Sequence, residues 1–247
     1  MESDRCHHEP AEGAGVVHEL PEMRDRTRVF RDRRHGGEVL ARMLSGILAP
    51  GTRILAVPAG GVPVAAPIAK ALGLSLDVAV VSKVTPSWNT EVGYGAVAFD
   101  GRVRIDEPTR SAFGIGEPDE RADLERARAK VRRRVVSLRR GRGPLVPNGG
   151  TAVLVDDGLA SGITMETAVQ AIRDAGAGRI VVAVPTGHER SVSRIAAVVD
   201  EVFCANVRAG RSFAVADAYR TWVDLDDAAV GEILERARVE LEGSLQE

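Results

Sequence analysis

Residues 151–177 constrain the fold more than any other stretch, because they join an apolar run, a glycine-containing loop and a helical pattern. The apolar run, residues 152–155, ends in two adjacent carboxylates, Asp156 and Asp157. A short apolar run bounded by a glycine-rich turn is typical of a buried parallel strand. The apolar residues that follow recur at helical spacing, so we predict a helix with Thr164 as its N-cap.

The loop between this strand and helix has residue types that suit a phosphate ligand. Free backbone N–H groups and the positive end of the helix dipole gather at the amino end of a helix. Gly158 and Gly162 allow the backbone to approach an anion closely, and Ser161 adds a hydroxyl donor. The carboxylates suit the vicinal hydroxyls of a ribose instead. The alternative is an aspartate-rich turn that only caps the helix.

A second strand–loop–helix pattern spans residues 54–73. Its loop contains Ala59, Gly60 and Gly61, and Pro63 follows where a first helical turn tolerates proline. This loop offers further N–H donors for an anion. The alternative is a glycine pair that only allows close packing of the helix on the strand.

The middle of the chain predicts one more strand, a hairpin and a long helix. Residues 77–84 are interpreted as one buried strand that presents the ammonium group of Lys83 at its carboxyl end, although a solvated lysine is the alternative. Asp-Gly at 100–101 joins two short β-like runs, which predicts a hairpin over residues 96–105. Residues 117–140 are typical of a charged helix, whose arginine-rich end at 132–134 is interpreted as a solvated face.

The last third of the sequence continues the alternation of strands and helices. We predict a strand at 179–184, a turn at 185–187, a helix at 189–199, a strand at 201–207 and a final helix at 228–241. This alternation indicates a single α/β sheet. His188 either reaches a substrate or is a polar residue at a helix start. Three aromatic residues near the end of the chain either stack on a base or pack the C-terminal segment: Phe213, Tyr219 and Trp222.

Composition excludes several functional classes. The net charge of -2 gives no electrostatic argument for nucleic acid or an acidic membrane. No apolar run has the length of a membrane span, and the charged start does not resemble a signal peptide. Cys6 and Cys204 form no disulfide framework. A cytoplasmic location is the simplest expectation, and the sequence leaves open whether the chain forms a homo-oligomer.

The first residues differ from the rest in having little apolar periodicity. We predict a disordered extension at residues 1–23 and one domain at residues 24–247. Cys6, His7 and His8 are potential metal ligands, but three contiguous ligands without a partner cluster favour a solvated tail.

The segment LVDDGLASGITM, residues 154–165, closely resembles the phosphoribosyl pyrophosphate loop of the type I phosphoribosyltransferases. The resemblance implies an α/β fold with a mainly parallel sheet flanked by helices and a β-hairpin lid. It also implies that Asp156 and Asp157 face the ribose hydroxyls and take part in catalysis with Lys83. The ribose phosphate would then be bound by Gly158 and by a cradle of six residues: Leu159, Ala160, Ser161, Gly162, Ile163 and Thr164.

The same resemblance assigns the pyrophosphate loop to Ala59, Gly60 and Gly61. Related enzymes often contain a non-proline cis peptide in this loop, for which the bond between Ala59 and Gly60 is the candidate. Many relatives carry a basic residue where this chain has Ala59, and that departure weakens the expectation of tight pyrophosphate binding. The hairpin corresponds to a mobile flap, and the segment containing Trp88, Asn89 and Glu91 corresponds to a wall of the acceptor pocket.

The implied reaction belongs to nucleotide metabolism and transfers a 5-phosphoribosyl group from its pyrophosphate donor to an unidentified nitrogenous base. Magnesium would bridge donor oxygens, with Asp156 and Asp157 as potential ligands. Two other hypotheses stay open. One is a regulatory module that binds the donor or a nucleotide without turning it over. The other is a hydrolase that acts on the same donor or on a phosphorylated ester.

Overall fold

The computed structural model describes residues 15–89, 92–143, 145, 149–210 and 212–244. In chain order, the strands in this part of the chain are β1 (Val16–His18), β2 (Arg53–Ala56), β3 (Ser75–Val78), β4 (Val81–Val84), β5 (Gly95–Ala98), β6 (Val103–Ile105), β7 (Thr151–Val155), β8 (Arg179–His188) and β9 (Glu201–Arg208). The helices are α1 (Arg33–Leu44), α2 (Gly61–Leu72), α3 (Glu107–Ala112), α4 (Glu117–Arg139), α5 (Ile163–Asp174), α6 (Glu189–Ala196) and α7 (Asp227–Ser244). Cys6, His7, His8 and Glu91 lie outside the described residues.

Two sheets organise the structure. The larger has six strands in the order β1-β9-β8-β7-β2-β3, and every neighbouring pair in it is parallel. The smaller is the antiparallel sheet β4-β5-β6, so the predicted hairpin is present. The predicted α/β fold, with a mainly parallel sheet and helices around it, is confirmed.

The core explains why the apolar runs form the central strands. Residues 152–155 of β7 and 180–184 of β8 are buried throughout, as expected for parallel strands covered on both faces. One apolar cluster joins α1, α2 and α7 to the sheet, and another joins α5 and α6 to it. None of the helices in the described ranges is long and apolar enough to cross a membrane.

The structure corrects the predicted element boundaries at three places. Residues 77–84 form two strands, because β3 belongs to the parallel sheet and β4 to the antiparallel sheet. The predicted turn at 185–187 continues strand β8, where Thr186 pairs with Asn206 of β9. The predicted extension also ended too late, since β1 pairs with β9 in register Val16 to Glu201. Residues 1–14 are outside the described ranges.

Candidate active site

A cavity of about 420 Å³ lies at the carboxyl ends of β2 and β7. Open α/β sheets bind ligands at this edge. The residues predicted to form the site that line the cavity are Ala59, Gly60, Lys83, Asp156, Asp157, Gly158, Leu159, Ala160, Ser161, Gly162 and Thr164. Gly61 and Ile163 do not line it, because Gly61 begins helix α2 and the side chain of Ile163 is buried in the protein.

One side of the cavity is formed by residues 156–164, which we call the acid loop. Among the described residues, no acceptor is found for the backbone N–H groups of residues 160–164, so they are available to an anion. Gly162 has a φ of 81°, a conformation that favours glycine, and it occupies the N-cap position of α5. The prediction that Thr164 is the N-cap was therefore wrong by two residues. The N–H groups of residues 160–164 nevertheless lie at the start of α5, where an anion is favoured.

Leu159 anchors the acid loop to strand β8. Its N–H donates to the Thr186 carbonyl at 3.0 Å, and its carbonyl accepts from the His188 N–H at 2.9 Å. Ser191 of α6 also donates to the Ala160 carbonyl. The N–H of Leu159 is thus used inside the protein, although Leu159 lines the cavity, and its role in the phosphate cradle stays a prediction.

The second loop, residues 58–61, touches the acid loop directly. Its cis peptide joins Pro58 to Ala59, one bond earlier than expected. A Cβ added at Gly60 would overlap the carboxylate of Asp157, so glycine is required there by close approach. The two loops therefore form one continuous edge of the cavity.

The two carboxylates of the acid loop have different environments. Burial, and then the charge of Asp157, raise the pKa of Asp156 well above its ordinary value, whereas Lys83 acts in the opposite direction. Asp156 Oδ1 accepts from the Asp157 N–H at 2.8 Å. Asp157 is paired with a cation, since Oδ2 accepts from Arg33 Nε at 2.7 Å.

Three cationic residues also line the cavity, and we call Lys83, Arg126 and Lys130 the cation wall. Lys83 comes from β4, and the other two come from α4. The sequence has three lysines, and Lys70 is paired with Glu240 on another surface. Within the described ranges, neither Lys83 nor Lys130 has a carboxylate oxygen within 4.0 Å. Both ammonium groups are thus available to an anionic ligand.

Helix α4 is held against the second loop. Arg134 lies one turn after Lys130, donates to the Pro58 carbonyl at 3.3 Å and pairs with Asp227 at 2.8 Å. Partial burial and the charge of Arg134 lower the pKa of Lys130. The prediction that residues 132–134 form a solvated face holds for Arg132 and Arg133, which are exposed, and is wrong for Arg134, which is buried. The four-residue spacing of Arg126, Lys130 and Arg134 is a helical signal that sequence reasoning overlooked.

Asp123 fixes the start of the cation wall. This buried carboxylate lines the cavity, accepts from the Tyr94 hydroxyl at 2.9 Å and pairs with Arg126. Because Arg126 also donates to the Thr85 carbonyl at 3.5 Å, it connects α4 to the end of β4. These contacts join residues far apart in sequence, and no local motif identifies them.

Several other predicted site residues lie elsewhere. Trp88 is 63% exposed, packs near Phe113 and does not line the cavity, and neither does Asn89. His188 is the N-cap of α6, where its ring accepts from the Arg190 N–H. The described residues of β5 and β6 are also absent from the cavity lining, so the role of the hairpin as a lid stays a prediction.

The aromatic residues near the end of the chain divide into two groups. Phe213 packs against His188 and Arg208. Tyr219 and Trp222 instead lie together, with ring centroids 5.4 Å apart, beside the Arg33–Asp157 pair. Arg33 and these two residues were not predicted to act on the acid loop.

Comparisons with known proteins agree with this geometry. The model of the phosphoribosyl transferase domain matches residues 51–218. Two Mycobacterium tuberculosis proteins, from strains CDC 1551 and H37Rv, are each named "Putative phosphoribosyl transferase" and are 37% identical over 214 residues. This alignment covers 85% of this chain and 47% of each relative, so the chain spans about half the length of these curated relatives.

A solved structure is also similar to this fold. The crystal structure of TT1426 from Thermus thermophilus has a TM-score of 0.66 and 33% sequence identity. The similarity covers 84% of this chain and 98% of the Thermus chain. It therefore extends over most of both molecules.

Proposed function

This chain belongs to the phosphoribosyl transferase family, and on that premise we propose that it transfers a 5-phosphoribosyl group from phosphoribosyl pyrophosphate to a nitrogenous base. In this reaction the bond between ribose C1 and the pyrophosphate oxygen breaks, and that oxygen keeps the electron pair. A bond forms between C1 and a base nitrogen, and the proton of that nitrogen passes to solvent. The observation that supports the proposal is the contact between the acid loop and the second loop at one cavity, which is also lined by Lys83 and Lys130, two lysines without a carboxylate partner among the described residues.

The acid loop is proposed to bind the ribose 5-phosphate part of the donor. The free N–H groups of residues 160–164 suit the phosphate, and the hydroxyl groups of Ser161 and Thr164 add donors. Asp156 and Asp157 suit the ribose hydroxyls, because a carboxylate oxygen accepts a hydrogen bond from a hydroxyl. Recognition of the sugar and of its phosphate is thereby divided between the two ends of one loop.

The second loop and the cation wall are proposed to bind the pyrophosphate. Ala59 contributes no charge, and the N–H groups of Ala59 and Gly60 have no acceptor within the described ranges. Lys83 and Lys130 supply the positive charge that stabilises the leaving group. Most of the catalytic effect would come from positioning the donor and from stabilising this charge.

Magnesium is proposed to bind together with the donor. The described residues contain no group of three or more His, Cys, Asp or Glu side chains arranged to hold a metal ion. Magnesium usually takes one or two carboxylates and completes its shell with phosphate oxygens and water, which fits Asp156 and Asp157. When bound, the ion would neutralise charge on the pyrophosphate.

Pyrophosphate release tests this function. The purified full chain is incubated with the donor and magnesium, with and without a panel of purine, pyrimidine and pyridine bases. We expect release that depends on one class of base. Release without any base would indicate a hydrolase, and donor binding without release would indicate a regulatory module. The base, the homo-oligomeric state and the cytoplasmic location stay predictions or open questions.

A further inference from the structure

The segments on either side of the region matched by the family model are paired with each other. This region spans residues 51–218. Phe30 N–H donates at 3.0 Å to the carbonyl of Ala218, the last residue of this region, and Arg220 N–H, just after the region, donates to the Phe30 carbonyl at 2.8 Å. Phe30 is fully buried and packs on Tyr219, with ring centroids 5.6 Å apart. These contacts fix the two flanking segments as one unit.

This unit contacts the acid loop at Asp157. Arg33 Nε donates to Asp157 Oδ2 at 2.7 Å, and the Tyr219 hydroxyl donates to the Asp157 backbone carbonyl at 2.6 Å. The side chains of Arg33 and Asp157 are only 11% and 15% exposed. The ion pair is therefore shielded from solvent more than an ordinary surface pair, and its geometry is better defined.

Trp222 and Val223 hold the guanidinium group of Arg33. Its Cζ lies 3.6 Å from the centroid of the Trp222 ring, a cation–π arrangement. Arg33 Nη1 also donates to the Val223 carbonyl at 2.7 Å. We call Arg33, Tyr219 and Trp222 the flanking clamp.

The flanking clamp leaves one oxygen of Asp157 available. Oδ2 accepts from Arg33 Nε and lies beside Gly60, and no basic side chain, alcohol hydroxyl or backbone N–H of the described residues donates to Oδ1. We propose that Arg33, fixed by Trp222, is a positioning residue that holds the Asp157 carboxylate so that its free oxygen accepts from a ribose hydroxyl. This proposal rests on the proposed function, because it takes a ribose phosphate as the ligand.

Substitutions at positions 33 and 222 test the positioning role. Arg33→Met removes the charge and the hydrogen bonds, Arg33→Lys keeps the charge, and Trp222→Leu removes the cation–π contact. Arg34→Met is the matched control, since Arg34 is the next residue of α1, has a side chain that is 77% exposed and forms a salt bridge with Glu38 on the helix surface. Calorimetry of the full chain measures the affinity for ribose 5-phosphate, 2-deoxyribose 5-phosphate and inorganic phosphate.

We expect the wild type to prefer ribose 5-phosphate over its 2-deoxy analogue by about tenfold, the effect of one hydrogen bond to a charged group. Arg33→Met should abolish most of this preference and leave the affinity for inorganic phosphate unchanged. Arg33→Lys should retain part of the preference for ribose 5-phosphate over the 2-deoxy analogue, and Trp222→Leu should reduce this preference. Arg34→Met should show the same preference as the wild type. A uniform loss for all three ligands would show a merely structural role and overturn the proposal.

Two other outcomes would also overturn it. An unchanged preference in Arg33→Met would show that Asp157 needs no positioning, and tighter sugar phosphate binding would show that Arg33 competes with the ligand. If the wild type binds neither sugar phosphate, the proposed function fails and the positioning role fails with it.

The existence of the clamp is tested without any ligand. The chain has two tryptophans, Trp88 and Trp222, so Trp88→Phe leaves Trp222 as the only one. In that background, Arg33→Met should change the emission of Trp222 and its quenching by acrylamide. Unchanged fluorescence would show that the stack is absent in solution and would overturn the proposal even if ligand binding is normal.

Discussion

The acid loop and the cation wall face the same cavity but are built in different ways. The acid loop is one continuous segment whose backbone is fixed by hydrogen bonds from Leu159 and from Ser191 of α6. The cation wall is assembled from β4 and α4, and Lys83 and Lys130 have no carboxylate partner among the described residues. One side thus offers fixed N–H groups, and the other offers flexible charged side chains.

Because of this difference, the acid loop is expected to fix the position of a phosphate, and the cation wall is expected to stabilise its negative charge. Backbone N–H groups at a helix start define where a phosphate lies, because they are fixed before the ligand arrives. A lysine is a flexible point charge that adapts to its anion. We therefore expect substitutions at residues 160–164 of the acid loop to affect every phosphate ligand, and substitutions in the cation wall to affect only ligands that carry the pyrophosphate.

The largest expected effect comes from Gly162→Val, which breaks the acid loop. Gly162 has a φ of 81°, which a β-branched residue rarely adopts. Loss of two or more charge-assisted hydrogen bonds, each about 1.5–3 kcal/mol, should weaken inorganic phosphate and donor binding by about 100-fold or more. Calorimetry with both ligands measures this. Gly46→Val is the control, since Gly46 has a φ of 76° outside the cavity, and it should lower Tm but preserve binding.

Gly60→Ala should have the next largest effect, because it breaks the contact between the two loops. The added Cβ would displace the Asp157 carboxylate. Donor affinity should fall by about 10- to 100-fold, as expected when one hydrogen bond to a charged group is lost, while inorganic phosphate binding stays normal. Gly231→Ala in α7 has open space around the new Cβ and serves as the control. Normal donor affinity in Gly60→Ala would show that the loops act independently.

Lys83→Met and Lys130→Met each remove one positive charge from the cation wall. Each should weaken donor and pyrophosphate binding by about tenfold and spare ribose 5-phosphate, which is expected to contact only the acid loop. Methionine keeps most of the apolar stem, so packing is preserved. Ala59→Arg should partly restore binding to Lys83→Met if both groups face the same phosphates. Lys70→Met, at the remaining lysine, should change nothing. Equal losses for all three ligands would instead indicate a disturbed fold.

The smallest expected effect concerns the stability of the ligand-free protein. Because the pKa of Asp156 is raised in the folded state, its contribution to stability is present below its ordinary pKa and is lost as pH rises through the raised value. Asp156→Asn keeps an oxygen that accepts from the Asp157 N–H and removes the charge. Its Tm should exceed that of the wild type at neutral pH, and the difference should shrink as the solution is acidified. A Tm difference that is constant with pH would contradict this.

The acid loop could be predicted from the sequence, whereas Lys130 and Arg33 could not. Residues 152–164 form a strand end, a glycine turn and a helix start, which are local structures that a local pattern specifies. Lys130 and Arg33 contact the site only after the chain has folded. Their side chains are charged residues on helices, and such residues are usually solvated.

The difference between local patterns and long-range contacts also explains the errors in the predicted element boundaries. Residues 77–84 are apolar throughout most of their length, and the change from β3 to β4 depends on which sheet each half joins. Thr186 continues β8 because it pairs with Asn206 of β9, a partner twenty residues away, and its hydroxyl also donates to the Asn206 side chain at 2.7 Å. The long helix and the hairpin were predicted correctly, since capping, periodicity and the Asp-Gly turn are local signals.

The most direct test of the two-sided site is a calorimetric comparison of the intact donor with its two halves. Phosphoribosyl pyrophosphate, ribose 5-phosphate and pyrophosphate are titrated separately, with magnesium, into the wild-type chain. We predict that the donor binds more tightly than either half, because only the donor contacts the acid loop and the cation wall at once. A donor affinity no greater than that of ribose 5-phosphate would contradict the account.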